Sequence, residues 1–86
     1  MNLLPYMVED KYTYELREFG KLVKKYRLSK GLRQLDLEIS TGIDRTDISK
    51  IENGMKNLEF YTMVRLSDAL KLPLEEFFKY PAYKPK

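Results

Sequence analysis

Positively charged side chains are concentrated in one part of the chain. Residues 21–33 contain six lysine and arginine residues and no acidic residue. Residues 34–52 show the reverse balance, with five acidic side chains and two basic ones. An uneven distribution of positive charge favours a polyanionic partner. An ordinary solvent-exposed helix face gives a similar pattern, so charge alone leaves both interpretations open.

Several kinds of chemistry are disfavoured by composition. The chain has no histidine and no cysteine, so it lacks the side chains that most often act in acid–base catalysis, nucleophilic catalysis and metal binding. Its four glycines are isolated from one another and form no phosphate-binding loop. We therefore expect a protein that is not an enzyme and that carries no metal and no cofactor.

The hydrophobic pattern predicts an all-α domain, a compact five-helix bundle. Apolar residues within and just before the basic stretch recur at helical spacing, as in Phe19, Val23 and Tyr26. Glycines and prolines punctuate the chain where helices would end. The predicted helices cover residues 13–29, 34–41, 44–53, 59–71 and 74–79. The chain then divides into an N-terminal extension (1–12), a helical domain (13–79) and an exposed C-terminal tail (80–86).

Residues 34–54 form the most informative segment. A helix of about two turns is followed by a tight turn at Gly42 and by a second helix. Asp44 and Asp47 have the spacing of a capping box at the start of that second helix. Such a turn crosses two helices steeply, with apolar residues closing the corner, and leaves the outer face of the second helix protruding. A protruding helix fits the major groove of duplex DNA.

The same residues carry a resemblance to a known family. Phe19-Gly20, Arg27, residues 30–34, Leu37, residues 42–46 and residues 48–54 together resemble the lambda-repressor/Cro (XRE-like) helix-turn-helix family. Its last two helices are matched by residues 66–78, so the resemblance spans about 60 residues. It implies a sequence-specific, DNA-binding regulator of transcription.

The resemblance also implies roles for individual residues. Four correspond to positions that face the bases: Arg45, Thr46, Ser49 and Lys50. Five correspond to phosphate contacts or adjoin them: Arg33, Gln34, Asn53, Lys56 and Asn57. A further two match a structural ion pair between the first and third helices: Arg27 and Glu52. Each of the polar groups has a plain alternative as an ordinary surface side chain.

Partners and location follow from these expectations. We expect double-stranded DNA, bound by a homodimer, as the partner, no small-molecule effector, no membrane segment, and a cytoplasmic location. We expect the dimer surface among four aromatic residues near the C-terminus: Phe77, Phe78, Tyr80 and Tyr83. The same residues could instead complete the core of the monomer.

The alternative function is that of an antitoxin-type or protein-interaction module on the same fold. Such a module would bind its partner through an outward-facing apolar stripe on the second helix, formed by Leu35 and Ile39. That stripe could instead be covered by aromatic and apolar residues at the N-terminal end of the chain: Tyr6, Met7, Val8, Tyr12 and Tyr14.

Overall fold

The computed structural model describes residues 9–85, and within them the chain forms helices and no strand. Four α-helices follow one another in the sequence: α1 (Lys11–Ser29), α2 (Gln34–Thr41), α3 (Arg45–Glu52) and α4 (Phe60–Leu70). A short 3-10 helix, Leu74–Phe78, closes the fold. The all-α helix-turn-helix prediction is confirmed. Tyr6, Met7 and Val8 lie outside the described residues, and no helix among those described is long and apolar enough to cross a membrane.

Helix α1 begins two residues earlier than its apolar pattern predicts. Asp10 precedes the helix in an extended conformation, and its carboxylate accepts a hydrogen bond of 2.7 Å from the backbone N–H of Thr13. This is an N-cap, which satisfies one of the donors that a helix start leaves unpaired. The bond from Thr13 lowers the pKa of Asp10 below its ordinary value.

One hydrophobic core joins all the helices. Its members are fully buried and come from every element: Phe19, Val23, Leu37, Ile48, Ile51, Leu66, Leu70 and Phe77. The predicted stripe of α1 lies on this core, and Tyr26 sets its ring edge-on against Phe77 with centroids 5.3 Å apart. Burial of such side chains is the main source of stability in a chain without disulfides.

Helices α1 and α3 approach closely at Gly20. A Cβ atom at this position would lie 2.1 Å from the carbonyl oxygen of Ile51, a distance that backbone atoms do not tolerate. Because glycine has no side chain, the backbone of α1 at Gly20 packs directly against the end of α3. This contact fixes the orientation of α3 against the longest helix of the protein.

The turn between α2 and α3 is held by Thr41 and Gly42. The buried Thr41 hydroxyl donates to the carbonyl of Leu37 at 2.6 Å and accepts from the N–H of Ile43 at 3.0 Å. Gly42 follows with φ of 77°, a left-handed conformation that favours glycine. The predicted end of α2 at this glycine is confirmed. The hydroxyl of Thr41 adds a bond across the corner that the apolar pattern does not reveal.

Two predictions about helix type and helix capping are wrong. The fifth helix is a 3-10 segment of five residues rather than an α-helix, because Pro73 and Pro81 confine it to little more than one turn, and 3-10 helices are stable in pieces of that length. The capping box at the start of α3 is absent, since the Asp44 side chain makes no cap hydrogen bond. The carboxylate of Asp47 instead lies 3.8 Å from the ammonium of Lys56.

The residues after the 3-10 helix pack back on the start of α1. Tyr80 donates a short hydrogen bond to the Glu15 carboxylate, and Tyr83 donates to the carbonyl oxygen of Glu9 at 2.8 Å. The ring of Tyr14 contacts both tyrosine rings, with centroids 5.9 and 5.5 Å away. The expected exposed tail is therefore partly buried, because its tyrosines find polar partners on α1.

Replacing Tyr80 by phenylalanine should lower the unfolding free energy by about 1–2 kcal/mol, since the ring stays but the bond to a carboxylate is lost. Burial and the bond to Glu15 raise the pKa of Tyr80 above the ordinary value of 10.0. The folded state thus holds this proton more tightly, so its contribution to stability is fully present below pH 10.0 and is lost progressively as the pH rises from there through the raised pKa of the folded state. Urea unfolding at pH 7 and pH 11 should show a smaller difference between wild type and Tyr80→Phe at the higher pH; an equal difference would contradict this assignment.

Candidate nucleic-acid interface

Helix α3 presents a polar face opposite its buried one. Ile48 and Ile51 are buried in the core, so the remaining face of the helix points outward. Three of the predicted base-reading residues are exposed on it: Arg45, Thr46 and Lys50. Among residues 9–85, none of these three side chains takes part in a hydrogen bond or ion pair within the chain. Their donors are thus available to an external ligand.

Ser49 is set deeper than the other predicted base-reading residues. Its side chain is half-buried, and its carbonyl oxygen accepts a hydrogen bond of 2.8 Å from the amide of Asn53. This bond closes the last turn of α3 and turns the Asn53 side chain back along the helix. Ser49 is short, so it suits a base edge that approaches the helix closely.

Most of the predicted phosphate-contacting residues already have partners within the protein. The guanidinium of Arg33 lies 3.1 Å from the Asp36 carboxylate, and the amide of Gln34 donates to Glu52 at 3.1 Å. Lys56 is near Asp47, as described above, while the exposed Asn57 makes no side-chain hydrogen bond within residues 9–85. These partners orient the donors before a ligand arrives, and binding of a phosphate would exchange or share them.

The start of α2 is organised around Asp36. Its carboxylate accepts hydrogen bonds from the backbone N–H of Arg33 at 2.6 Å and from the guanidinium of the same residue. The bond from the guanidinium, with that from the backbone, holds the pKa of Asp36 below its ordinary range. Asp36 thereby forms one half of a capping box, in which its carboxylate satisfies the backbone N–H of Arg33, whereas the arginine side chain caps no N–H of the helix. It also holds the Arg33 side chain at the N-terminus of the helix.

A buried ion pair connects α1 to α3 behind this surface. The Arg27 guanidinium donates to both carboxylate oxygens of Glu52, at 2.6 and 2.9 Å, and to the carbonyl of Leu32 at 2.8 Å. The two residues are only 6% and 4% exposed. These bonds raise the pKa of Arg27 above its ordinary value. Because Gln34 also donates to Glu52, one carboxylate joins α1, the start of α2 and the end of α3.

Among the apolar residues predicted to form partner surfaces, some are buried within the monomer and others are exposed. Phe77 is fully buried and belongs to the monomer core, whereas Phe78 remains 45% exposed. On α2, Leu35 is half-buried and Ile39 is 73% exposed. Tyr14 packs on the C-terminal tyrosines, so it is not available to cover that stripe.

Sequence reasoning missed an exposed aromatic pair at the start of α4. Phe60 and Tyr61 are 66% and 67% exposed, and the Arg65 guanidinium lies over the Tyr61 ring at 5.2 Å from its centroid. Two aromatic residues at the first positions of a helix, ahead of its inward apolar residues, are the signal that could have revealed them.

A short helix with free polar donors on its outer face, held by a tight turn and a buried ion pair, defines a class of protein. This chain is a DNA-binding, helix-turn-helix regulator of transcription. The helix-turn-helix family matches residues 23–77, and the chain belongs to that family, in its lambda-repressor/Cro-like (XRE) type.

Named relatives agree with this assignment. The chain is 36% identical over 61 residues to the control protein C.MunI of a Mycoplasma species, a match that covers 70% of this chain and 82% of the relative. The crystal structure of the restriction-modification controller protein C.AhdI from Aeromonas hydrophila has a TM-score of 0.73 and 31% identity, covering 76% of this chain and 98% of the other. The controller C.Esp1396I, as a tetramer in complex with its 35-base-pair operator, has a TM-score of 0.70 and 33% identity, covering 77% and 87%.

Proposed function

We propose that this chain is a restriction-modification controller protein, a cytoplasmic homodimer that binds a specific duplex DNA site and regulates transcription from it. Helix α3 lies in the major groove, and Arg45, Thr46, Ser49 and Lys50 contact the base edges. Phosphate contacts come from the start of α2 and from the loop after α3: Arg33, Gln34, Asn53, Lys56 and Asn57. Phosphate contacts position the domain, and base contacts select the sequence.

The main support for this proposal is that the hydrogen-bond donors on the outer face of α3 are free. Arg45 and Lys50 are exposed, without partners among the described residues, and stand on a helix whose opposite face is locked in the core. An arginine with a free guanidinium can donate two hydrogen bonds to one guanine. A rigid helix holds such donors in place before binding, which reduces the entropic cost of recognition.

The restriction-modification context is proposed from the relatives. C.MunI, C.AhdI and C.Esp1396I are controllers by name, and each is more than 30% identical to this chain. The interaction module without DNA binding, which the apolar residues of α2 left open, is not favoured by these relatives. A site for this protein should then lie close to genes for a restriction endonuclease and a methyltransferase.

Selection of bound sequences from random duplex DNA tests the function. A homodimer with one α3 per subunit should select a two-fold symmetric motif whose half-sites are about 10 base pairs, or a multiple of that, apart. The motif should occur upstream of restriction-modification genes in the source genome. Recovery of no motif would contradict DNA recognition, and a motif remote from such genes would contradict the controller role alone.

We place the dimer surface around the exposed aromatic residues of α4 and the 3-10 helix. Leu58, Met63 and Phe78 line an apolar groove of about 150 Å³ together with residues of α1. Phe60 and Tyr61 lie between two of these residues in sequence and are largely exposed. Large exposed apolar side chains at one place mark surfaces that another protein covers.

The double variant Phe60→Ser with Tyr61→Ser should dissociate the dimer, because it removes two aromatic contacts while leaving the core intact. Analytical ultracentrifugation at micromolar concentration should show dimers for the wild type and mainly monomers for the variant. Ile39→Ser, equally exposed but on α2, is the matched control and should remain dimeric. If the double variant remained dimeric, or if the control became monomeric, the proposed location of the dimer interface would be contradicted.

A further inference from the structure

A cationic cleft lies between α1 and the end of α3. It has a volume of about 320 Å³ and is lined by Arg17, Lys21, Lys24, Glu52 and Asn53. Three of these residues are basic and recur along one face of α1 at helical spacing. The other two belong to the end of α3, next to the loop that carries the proposed phosphate contacts. The cleft is therefore continuous with the proposed DNA interface.

Close backbone contact fixes the cleft beside that loop. Gly54 begins the loop, and a Cβ atom there would lie 2.8 Å from the Cα atom of Arg17. Together with the contact at Gly20, this places the loop directly on α1 without an intervening side chain. The basic face of α1 cannot move away from the end of α3 unless the fold opens.

The charges in the cleft are unequally satisfied. Arg17 pairs with Glu9 and Glu18, and Lys21 lies 3.3 Å from Glu18. The carboxylate of Glu52 is neutralised by Arg27 at 2.6 Å, so it contributes little negative potential. Among residues 9–85, Lys24 forms none of the ion pairs, and its side chain is exposed. The cleft thus holds one uncompensated ammonium group and a second, Lys21, in an exposed pair that solvent weakens.

We propose that this cleft binds a backbone phosphate of DNA, with Lys24 as the principal contact and Lys21 and Asn53 beside it. The inference rests on the proposed DNA-binding function and extends its surface to α1. Two residues at one wall of the cleft support this assignment, because both are at positions proposed to contact phosphate. Asn53 lines that wall, and Gln34 donates a hydrogen bond to Glu52, which lines it too. The segment from residue 34 to 52 carries net negative charge, so attraction to DNA must come from elsewhere, and α1 supplies it.

The salt dependence of DNA binding tests this contact. Each neutralised phosphate contributes about −0.9 to the slope of log K against log salt concentration. Lys24→Gln should make the slope shallower by about one unit, so that the wild type loses about threefold more affinity than the variant between roughly 50 and 200 mM salt. The probe is a fluorescent duplex carrying the selected site, followed by anisotropy.

Lys25→Gln is the matched control. Lys25 is the next residue on α1 and is equally exposed, but it lies over the Tyr26 ring at 5.8 Å and outside the cleft. Its variant should keep the wild-type slope. An unchanged slope for Lys24→Gln, or an equal change for Lys25→Gln, overturns the cleft assignment while leaving the proposed function in place. Failure of the wild type to bind any duplex overturns both.

Discussion

Replacing Arg27 by alanine is expected to lower the unfolding free energy by about 3–5 kcal/mol, because it leaves the buried carboxylate of Glu52 without its cation. A single small domain has only about 5–15 kcal/mol of stability, so the substitution should remove a large fraction of the total and shift the unfolding midpoint clearly. Urea unfolding followed by circular dichroism measures the effect. The interaction with Gln34 at 3.1 Å remains in the variant but cannot neutralise the charge.

A double variant separates the contribution of the ion pair from that of the packing. Arg27→Met with Glu52→Met replaces both charges by apolar side chains of similar length, and this double variant should regain most of the stability. Arg33→Ala removes an exposed ion pair with Asp36 and should have a much smaller effect. If Arg27→Ala were no more destabilising than Arg33→Ala, the buried pair would not hold α1 against α3.

Removing the two free cations of α3 is expected to have the largest effect on DNA binding. Arg45→Ala and Lys50→Ala should each weaken binding to the selected site by about 1–3 kcal/mol, which is roughly 5- to 150-fold. Both residues are exposed and lack partners among residues 9–85, so their replacement should leave the unfolding midpoint unchanged. Anisotropy titrations at one fixed salt concentration give the comparison. A variant that binds the site as tightly as the wild type would remove that residue from the base-reading set.

Much of this fold could be predicted from the sequence because its signals are local. The spacing of Phe19, Val23 and Tyr26 indicates the buried face of α1, and Gly42 and Pro73 mark the ends of elements. The same helical spacing predicts which positions of α3 are buried, and the other positions of that helix therefore face outward. The exposure of Arg45 and Lys50 on that face was therefore accessible to sequence reasoning.

The features that sequence reasoning missed depend on distant or competing partners. Asp47 has the spacing of a capping residue, but it lies near Lys56 in the following loop. The sequence predicts Tyr80 and Tyr83 in an exposed tail, either at a dimer surface or completing the monomer core, but their bonds to Glu15 and Glu9, more than 60 positions earlier, could not be predicted from local sequence. The cationic cleft joins residues of α1 to the end of α3, an arrangement that the close contacts at Gly20 and Gly54 create and that no local pattern displays.

Whether α3 reads DNA sequence can be tested by a single-base scan of the selected site. Wild type and Arg45→Ala are titrated against duplexes that carry every base substitution in one half-site. We expect Arg45→Ala to lose discrimination at one base pair, most simply a G·C pair, and to keep the wild-type preferences at the others. A uniform loss of affinity with unchanged preferences would show that Arg45 contacts phosphate only, and an unchanged profile would show that α3 does not read the sequence through this residue.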